Sequence, residues 1–315
     1  MRIVFLGAGE FGVPTLAGLH AAHDVALVIS QPDRPAGRRR KLTPTPIGQW
    51  ATDHDLPLVK TDQANAPDVL EQVDAADADA MVVVAFGQYL RPELVDLPRL
   101  GAMNLHASLL PRWRGASPIN ATLLNGDREA GNTAIRIARK MDAGAMLGQQ
   151  AIPIDPMETA GELHDRLARL GPTLVLNVLS GLDAGTVAEI EQDHDAATLA
   201  PKLCRDDGWV DFAADAEAIR CRVHGLTPWP GVRATWAAEG QAREGEPIKL
   251  CRVEPMPDYP HDAPPGQLLT TAGLVAAGGG AVRLVEVQPP GKRVMAWADF
   301  AHGHPIAPGA TFRSG

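Results

Sequence analysis

The sequence predicts an α/β fold, a mostly parallel sheet with covering helices, followed by a small β-barrel. Three observations carry this. Residues 2–6, Arg-Ile-Val-Phe-Leu, lead through a glycine turn into a helical stretch and a second apolar run at 25–30, a strand–turn–helix–strand unit. Residues 80–85, AMVVVA, are apolar without alternation, as in a central parallel strand buried on both faces. From about residue 201 the texture changes to short runs punctuated by Gly and Pro, the pattern of a barrel of roughly 110 residues.

The first turn, Gly7-Ala8-Gly9-Glu10-Phe11-Gly12, is a literal GxGxxG. A dinucleotide site would place a ribose acid about 20 residues on, at the end of the second strand. That strand ends Ile29-Ser30-Gln31-Pro32, and Asp33 falls beyond the proline. A tight turn and close helix–strand packing explain the glycines, and an NADP site using Arg34 or Arg38 stays open as an alternative. Residues 31–46 hold four prolines and one glycine and read as a long loop without regular structure. This loop carries Arg34, Arg38, Arg39, Arg40 and Lys41, with no acid among residues 34–41. Such a cluster suits a polyanion, because each cation releases counterions on meeting phosphate. Arg34 has an alternative in pairing with Asp33.

Helices are expected at 47–53, 66–73 and 118–125, and antiparallel strands at 133–137 and 147–154. The Thr159-x-x-Glu162 capping box opens a helix with a stripe of Leu163, Leu167, Leu170, Leu174 and Val178, which Pro172 is expected to kink or split. The polar, acidic stretch that follows reads as a linker, and the chain divides as 1–183, 184–202 and 203–315. Short strands are expected at 208–212, 232–236, 248–253, 266–269, 274–277 and 281–287, with one helix at 214–224.

The 315 residues are 45% hydrophobic and 21% charged, enough for a sizeable core, and no apolar run reaches membrane-spanning length. The net charge of −9 argues against a generally basic nucleic-acid binder, although the cation cluster is local. Cys204, Cys221 and Cys251 lack metal spacing and fit a reducing cytoplasm. No apolar stripe calls for a partner copy, so a monomer is expected.

The chemistry centres on residues 101–119. In a strand, residues two apart share a face, so Asn104 and His106 project together from the end of a strand. An amide donor beside an imidazole is a pair for stabilising an oxyanion and moving a proton. Phe86-Gly87-Gln88 leaves the carboxyl end of the neighbouring strand, where ligands bind in open α/β sheets. Asp142 stands 36 residues after His106 at the head of a turn.

Asn104-x-His106-x-Ser108-Leu109-Leu110-Pro111-x-x-Arg114-Gly115, Asp142 and the basic loop together resemble the formyltetrahydrofolate-dependent formyltransferases. Gln31-Pro32-Asp33-Arg34-Pro35-Ala36-Gly37-Arg38, Arg112-Trp113-Arg114-Gly115-Ala116 and Pro228-Trp229-Pro230 narrow the resemblance to the family acting on methionyl-tRNA, over nearly the whole chain. It implies a Rossmann-like catalytic domain and an OB-like C-terminal barrel that helps hold tRNA. It implies formyl transfer from 10-formyltetrahydrofolate to initiator Met-tRNA, without a metal. Asn104, His106 and Asp142 are the implied catalytic set. Ser108, Leu109, Leu110 and Pro111 are implied to contact folate, and Phe86, Gly87 and Gln88 to line the pterin pocket. Arg38–Lys41 and Arg34 are implied to meet the tRNA acceptor arm. Gly7-Ala8-Gly9-Glu10-Phe11, Asn120, Ala143 and Ala145 depart from the family's common pattern. The rivals are a formyl-folate enzyme acting on a sugar nucleotide, a purine precursor or water, a tRNA-binding module without catalysis, and a nucleotide-dependent oxidoreductase.

Overall fold

The computed structural model describes residues 1–37, 40–237, 246–304 and 306–314. β1 (Arg2–Gly7), α1 (Val13–Ala22) and β2 (Asp24–Ser30) form the expected opening unit. Packing explains Gly7: a Cβ there would lie 2.8 Å from the Phe5 ring and 2.9 Å from the carbonyl of Val84. Next come β3 (Arg34–Ala36), β4 (Lys41–Thr43), α2 (Pro46–Asp53), β5 (Leu58–Lys60), α3 (Pro67–Ala75), β6 (Ala80–Val84), α4 (Pro92–Val95) and β7 (Ala102–His106). They are followed by β8 (Arg114–Gly115), α5 (Pro118–Leu124), β9 (Glu129–Arg136), β10 (Met146–Pro153) and α6 (Ala160–Asp183).

The main sheet has the order β10-β9-β7-β6-β1-β2-β5. Pairing is parallel from β7 through β6, β1 and β2 to β5, and β9 runs antiparallel to β7. The chain moves outward from β1 to β2 and β5, then returns to β6 on β1's other side. The strand order therefore reverses between β1 and β6, and ligand crevices form outside the strand ends at such a point. All five residues of β6 are buried, as the unbroken apolar run requires.

Three expectations change here. The loop over 31–46 contains a two-stranded hairpin, β3 paired with β4 in the register Arg34↔Thr43, Pro35↔Leu42 and Ala36↔Lys41. Pro35 is tolerated because this ribbon stands apart from the main sheet and needs no full hydrogen-bond ladder. Asp33 pairs with Lys60 at 2.6 Å, so that acid is taken up by a residue other than Arg34. Third, α6 is a single helix through Pro172. Pro172 abuts Gly18 of α1, where a Cβ would come within 2.9 Å of the proline ring, so helix–helix packing holds the segment together.

The main sheet belongs to a compact unit made of Met1–Gly115, Ala130–Ile152 and His164–Leu199. One face of its core is Val4, Leu6, Leu27, Ile29, Met81, Val83, Phe86 and Leu94 with their neighbours.

A second compact unit comprises Ala116–Glu129, Pro153–Leu163 and Ala200–Gly315. After β11 (Leu199–Ala200) and α7 (Ala216–Gly225) come β12 (Val232–Ala237), β13 (Glu246–Met256), β14 (Leu268–Thr270), β15 (Leu274–Ala276), β16 (Ala281–Gln288), β17 (Met295–Ala296), α8 (Trp297–Gly303) and β18 (Thr311–Ser314). They make a curled antiparallel sheet in the order β14-β15-β16-β13-β12-β18. An isolated bridge, Gln267↔Thr311, joins its two ends. The stretch 208–212, expected as a strand, contributes only the bridge Trp209↔Arg233. The sheet curls around Phe212, Ile219, Val223, Trp236, Leu250, Leu284, Trp297, Phe300 and Phe312. Burying each such side chain contributes about 1.5–3 kcal/mol.

Among the described residues, no helix is long and apolar enough to cross a membrane. Cys204, Cys221 and Cys251 are free thiols, and burial pushes the Cys251 thiol up to about 11.

Candidate active site

β7 ends at His106, and the pairing from Met103↔Arg136 through His106↔Thr133 fixes its register against β9. Asn104 is half-buried and His106 is 6% exposed. His106 Nε2 lies 2.9 Å from the carbonyl oxygen of Trp113. A carbonyl only accepts, so Nε2 carries a proton, and in a neutral ring the lone pair is at Nδ1. That Nδ1 is 3.6 Å from Asp142 Oδ2, too long for a hydrogen bond but close enough to stabilise an imidazolium.

Asp142 occupies the turn between β9 and β10 with φ +52°, a left-handed conformation unusual outside glycine. Its Oδ2 accepts from the Gly115 N–H at 2.8 Å. The turn presses on β9: a Cβ on Gly144 would lie 1.9 Å from the carbonyl oxygen of Arg136. Trp113 (φ +63°) and Ala85 (φ +48°) are likewise left-handed. Non-glycine residues in that region cost of order 1–3 kcal/mol each and persist where surrounding structure over-determines them.

His106 and Asp142 are thus brought together at the end of β7, with Asn104 two residues earlier on the same strand. Around them, the structure places the other expected residues in two groups. Ser108 is buried, and its hydroxyl donates to the carbonyl of Arg112 at 2.7 Å. The Leu110 side chain is also buried, while Leu109 and Pro111 are half-exposed. Phe86 packs into the core, and its carbonyl accepts from Gln31 Nε2 at 2.7 Å. Gln88 spends its amide on Ala64 N–H and Thr61 carbonyl. Gly87, at φ +78°, is exposed. Ser108, Leu110, Phe86 and Gln88 therefore turn their side chains inward, onto the protein itself. Leu109, Pro111 and Gly87 offer surface.

Of the basic residues, Arg34, Arg40 and Lys41 are exposed on or beside the β3–β4 hairpin, while Arg38 and Arg39 lie outside the described residues. Asn120 turns its amide to the carbonyl of Gly225 at 2.7 Å. Ala145 is buried and its carbonyl accepts from the N–H of Arg136. No group of His, Cys, Asp or Glu among the described residues is arranged to hold a metal.

Sequence reasoning missed three supporting side chains. Thr133, opposite His106, donates to the Ser108 carbonyl at 2.6 Å and accepts from Leu110 N–H at 3.1 Å. Gln149 donates to the Leu110 carbonyl at 3.0 Å and to Thr133. Gln192, 4% exposed, lies within the stretch expected to be a linker and donates to the carbonyls of Asp142 and Gly144. Only Thr133 carried a signal, its place on a strand expected beside His106.

The model of the formyl transferase family matches residues 1–179, and that of the formyl transferase C-terminal domain matches residues 202–305. The chain is 43% identical over 310 residues to the methionyl-tRNA formyltransferase of Methylococcus capsulatus, covering 98% of each chain. It is 42% identical to that of Solibacter usitatus, over 96% of each chain. The chain belongs to the methionyl-tRNA formyltransferase family. Its fold is shared with WlaRD, a sugar 3N-formyl transferase crystallised in the presence of dTDP and 5-N-formyl-THF. That likeness has a TM-score of 0.64 at 15% identity, covering 93% of this chain and 99% of the other. It is shared also with HypX from Aquifex aeolicus in complex with tetrahydrofolic acid, with a TM-score of 0.60 at 15% identity, covering 96% of this chain and 47% of the other. In this formyltransferase, the His106 imidazole on β7 meets groups from two distant stretches, Trp113 and Asp142, and Asp142 is tied in turn to the Gly115 N–H.

Proposed function

We propose that the chain transfers the formyl group of 10-formyltetrahydrofolate to the free amino group of initiator Met-tRNA, giving N-formylmethionyl-tRNA for translation initiation. The observation that carries this reading is the His106–Asp142 pair at the end of β7, in a chain 43% identical over 98% of its length to a methionyl-tRNA formyltransferase.

Transfer breaks the bond between the formyl carbon and N10 of the folate and makes one to the amino nitrogen. That nitrogen gives up a proton and N10 takes one. Asn104 donates its amide N–H to the formyl oxygen as charge gathers there. His106, neutral with its Nε2 proton on Trp113, takes the amine's proton at Nδ1. The imidazolium so formed faces Asp142, whose carboxylate stabilises it until the proton passes to N10. Asp142 is held for that role by the Gly115 N–H.

Leu109, Pro111 and Gly87 offer the folate apolar surface and backbone groups, with Ser108, Leu110, Phe86 and Gln88 fixing the walls behind them. Arg34, Arg40 and Lys41, with Arg38 and Arg39 of the same loop, form the cationic arm that meets tRNA. We read 1–183 as the catalytic domain, 184–202 as the connection and 203–315 as an OB-like barrel that holds tRNA; the bridge joining its sheet ends supports a barrel. We place the enzyme in the cytoplasm as a monomer, in keeping with its free thiols.

The experiment uses purified protein, 10-formyltetrahydrofolate labelled in the formyl group, and Met-tRNA of initiator and elongator kinds. Label should enter acid-precipitable RNA with the initiator alone. Consumption of the folate without incorporation would overturn the assignment of the amine substrate.

A further inference from the structure

The polar stretch after α6 carries no recognised motif, yet it contains one of the most fully engaged side chains near the site. Gln192 makes four hydrogen bonds. Its Nε2 donates to the carbonyl of Asp142 at 2.9 Å and to that of Gly144 at 2.8 Å. Its Oε1 accepts from Nε and Nη2 of Arg114 at 3.0 and 2.7 Å. Both amide protons and the amide oxygen are thus committed, at a residue 4% exposed.

These bonds close a ring. Asp142 Oδ2 sits on the Gly115 N–H at 2.8 Å. Gly115 is covalently next to Arg114, whose guanidinium, on a residue 3% exposed, grips Gln192. Gln192 returns to the carbonyl of Asp142 itself. The carboxylate of Asp142 and its own backbone are therefore fixed from opposite ends of one rigid path. Asp142 needs such fixing: it is left-handed at φ +52°, and its turn approaches β9 closely at Gly144. Arg114 Nη2 also donates to Nδ1 of His194 at 3.0 Å, two residues beyond Gln192, which anchors the stretch a second time.

We propose that Gln192 is the positioning residue for Asp142: it clamps the 142–144 turn so that the carboxylate faces His106 Nδ1 rather than solvent. The proposal rests on the reading of Asp142 and His106 as the proton-handling pair of formyl transfer. Gln192 touches neither substrate. It acts on the distance and angle between two groups that do, and a misplacement of about 1 Å in such a constellation costs on the order of a hundredfold in rate.

The test compares wild type with Gln192→Glu, Gln192→Leu and Asp142→Asn. Glutamate keeps the size of the side chain and its acceptors for Arg114, but when ionised cannot donate to the two carbonyls. Gln192→Glu is therefore expected to keep the wild-type melting temperature within a few degrees. It should lower kcat roughly ten- to a hundredfold with KM for the folate and for Met-tRNA unchanged. Combining it with Asp142→Asn should add little to the loss from Asp142→Asn alone, because both changes break the same relationship. A kcat within twofold of wild type, or losses that multiply in the double variant, would overturn the proposal.

A second measurement does not depend on which amine is the substrate. The ¹⁵N signals of His106 in the ligand-free enzyme report the surroundings of Nδ1. They are expected to move in Gln192→Glu in the direction they move in Asp142→Asn. Unmoved His106 signals in Gln192→Glu and Gln192→Leu, with both variants folded, would refute the positioning role. Wild-type protein that failed to formylate Met-tRNA, with the shared His106 shift still seen in the variants, would overturn the functional reading and leave the clamp standing.

Discussion

His106 Nδ1 and Asp142 Oδ2 face each other across 3.6 Å, while the other ring nitrogen is tied to the Trp113 carbonyl at 2.9 Å. The proton on Nε2 is held away from Asp142, so the side of the imidazole that meets the carboxylate is the basic side. The pair gains its full attraction only when Nδ1 takes a proton, which is the moment a general base needs it.

Asp142→Asn tests that sequence of events. The amide retains an oxygen for the Gly115 N–H and no longer carries the charge that stabilises an imidazolium. Turnover should fall by roughly a hundredfold or more, while binding of Met-tRNA and of the folate stays near wild type. Turnover near wild type in a single-turnover assay would remove Asp142 from the reaction.

Asn104→Ala removes the amide donor without touching the imidazole. The loss should be roughly 2–4 kcal/mol of transition-state stabilisation, read from kcat/KM, with little change in melting temperature because Asn104 is only half-buried. A change below about tenfold in rate would assign Asn104 to the strand rather than to the oxyanion.

The hairpin cations give a third expectation. Replacing Arg34, Arg40 and Lys41 by Ala should weaken Met-tRNA binding and flatten its dependence on salt, by about one unit of log–log slope for each phosphate no longer neutralised. All three side chains are exposed. Equilibrium binding between low and moderate salt provides the check, and an unaltered slope would mean that the hairpin does not meet phosphate.

Two titrating groups in the second compact unit give acid stability a stepped form. His224 is fully buried and accepts from the Val253 N–H at Nε2, at 3.1 Å. Its protonated Nδ1 finds no partner among the described residues. Burial, and then the charges of Arg220 and Arg252, push its pKa down from 6.5 to about 4. The folded state thus binds this proton less readily than the unfolded chain. Stability is full above about pH 6.5 and falls as pH drops toward 4, by on the order of 3 kcal/mol. His224→Gln, which keeps an acceptor for Val253, should remove that fall from melting curves taken between about pH 7 and 4.

Glu162 works in the next window. Burial raises its pKa, but hydrogen bonds from Arg252 and from the N–H and hydroxyl of Thr159 outweigh that and bring it from 4.5 to about 2. A depressed carboxylate contributes stability above its unfolded value, and loses it as pH falls through the folded one. Glu162→Gln should therefore flatten the melting-temperature profile between pH 4.5 and about 2, and move the His224 step to lower pH, because the Glu162 charge raises that pKa. Its side chain is half-exposed, so solvent screening keeps this second step the smaller.

The sequence by itself determined the elements whose cause is local. Apolar runs specified β1, β2 and β6, the Thr159–Glu162 box opened α6, and the short runs punctuated by Gly and Pro from about residue 201 marked the second sheet. It also put Asn104 and His106 together, because residues two apart on one strand share a face whatever surrounds them. Tertiary structure alone decided what those side chains meet. Arg114 and Gln192 are 78 residues apart, and no periodicity or propensity connects positions so distant. The same holds for Pro172 against Gly18, which keeps α6 unsplit where local chemistry predicted a kink or a split, and for Phe86 and Gln88, whose side chains turn inward to the core and to the 61–64 backbone. Backbone geometry and side-chain period are written over a few neighbouring residues. The partners that satisfy a buried amide or guanidinium are set only when the chain closes on itself, because a desolvated polar group takes whichever donor or acceptor the fold brings within about 3 Å.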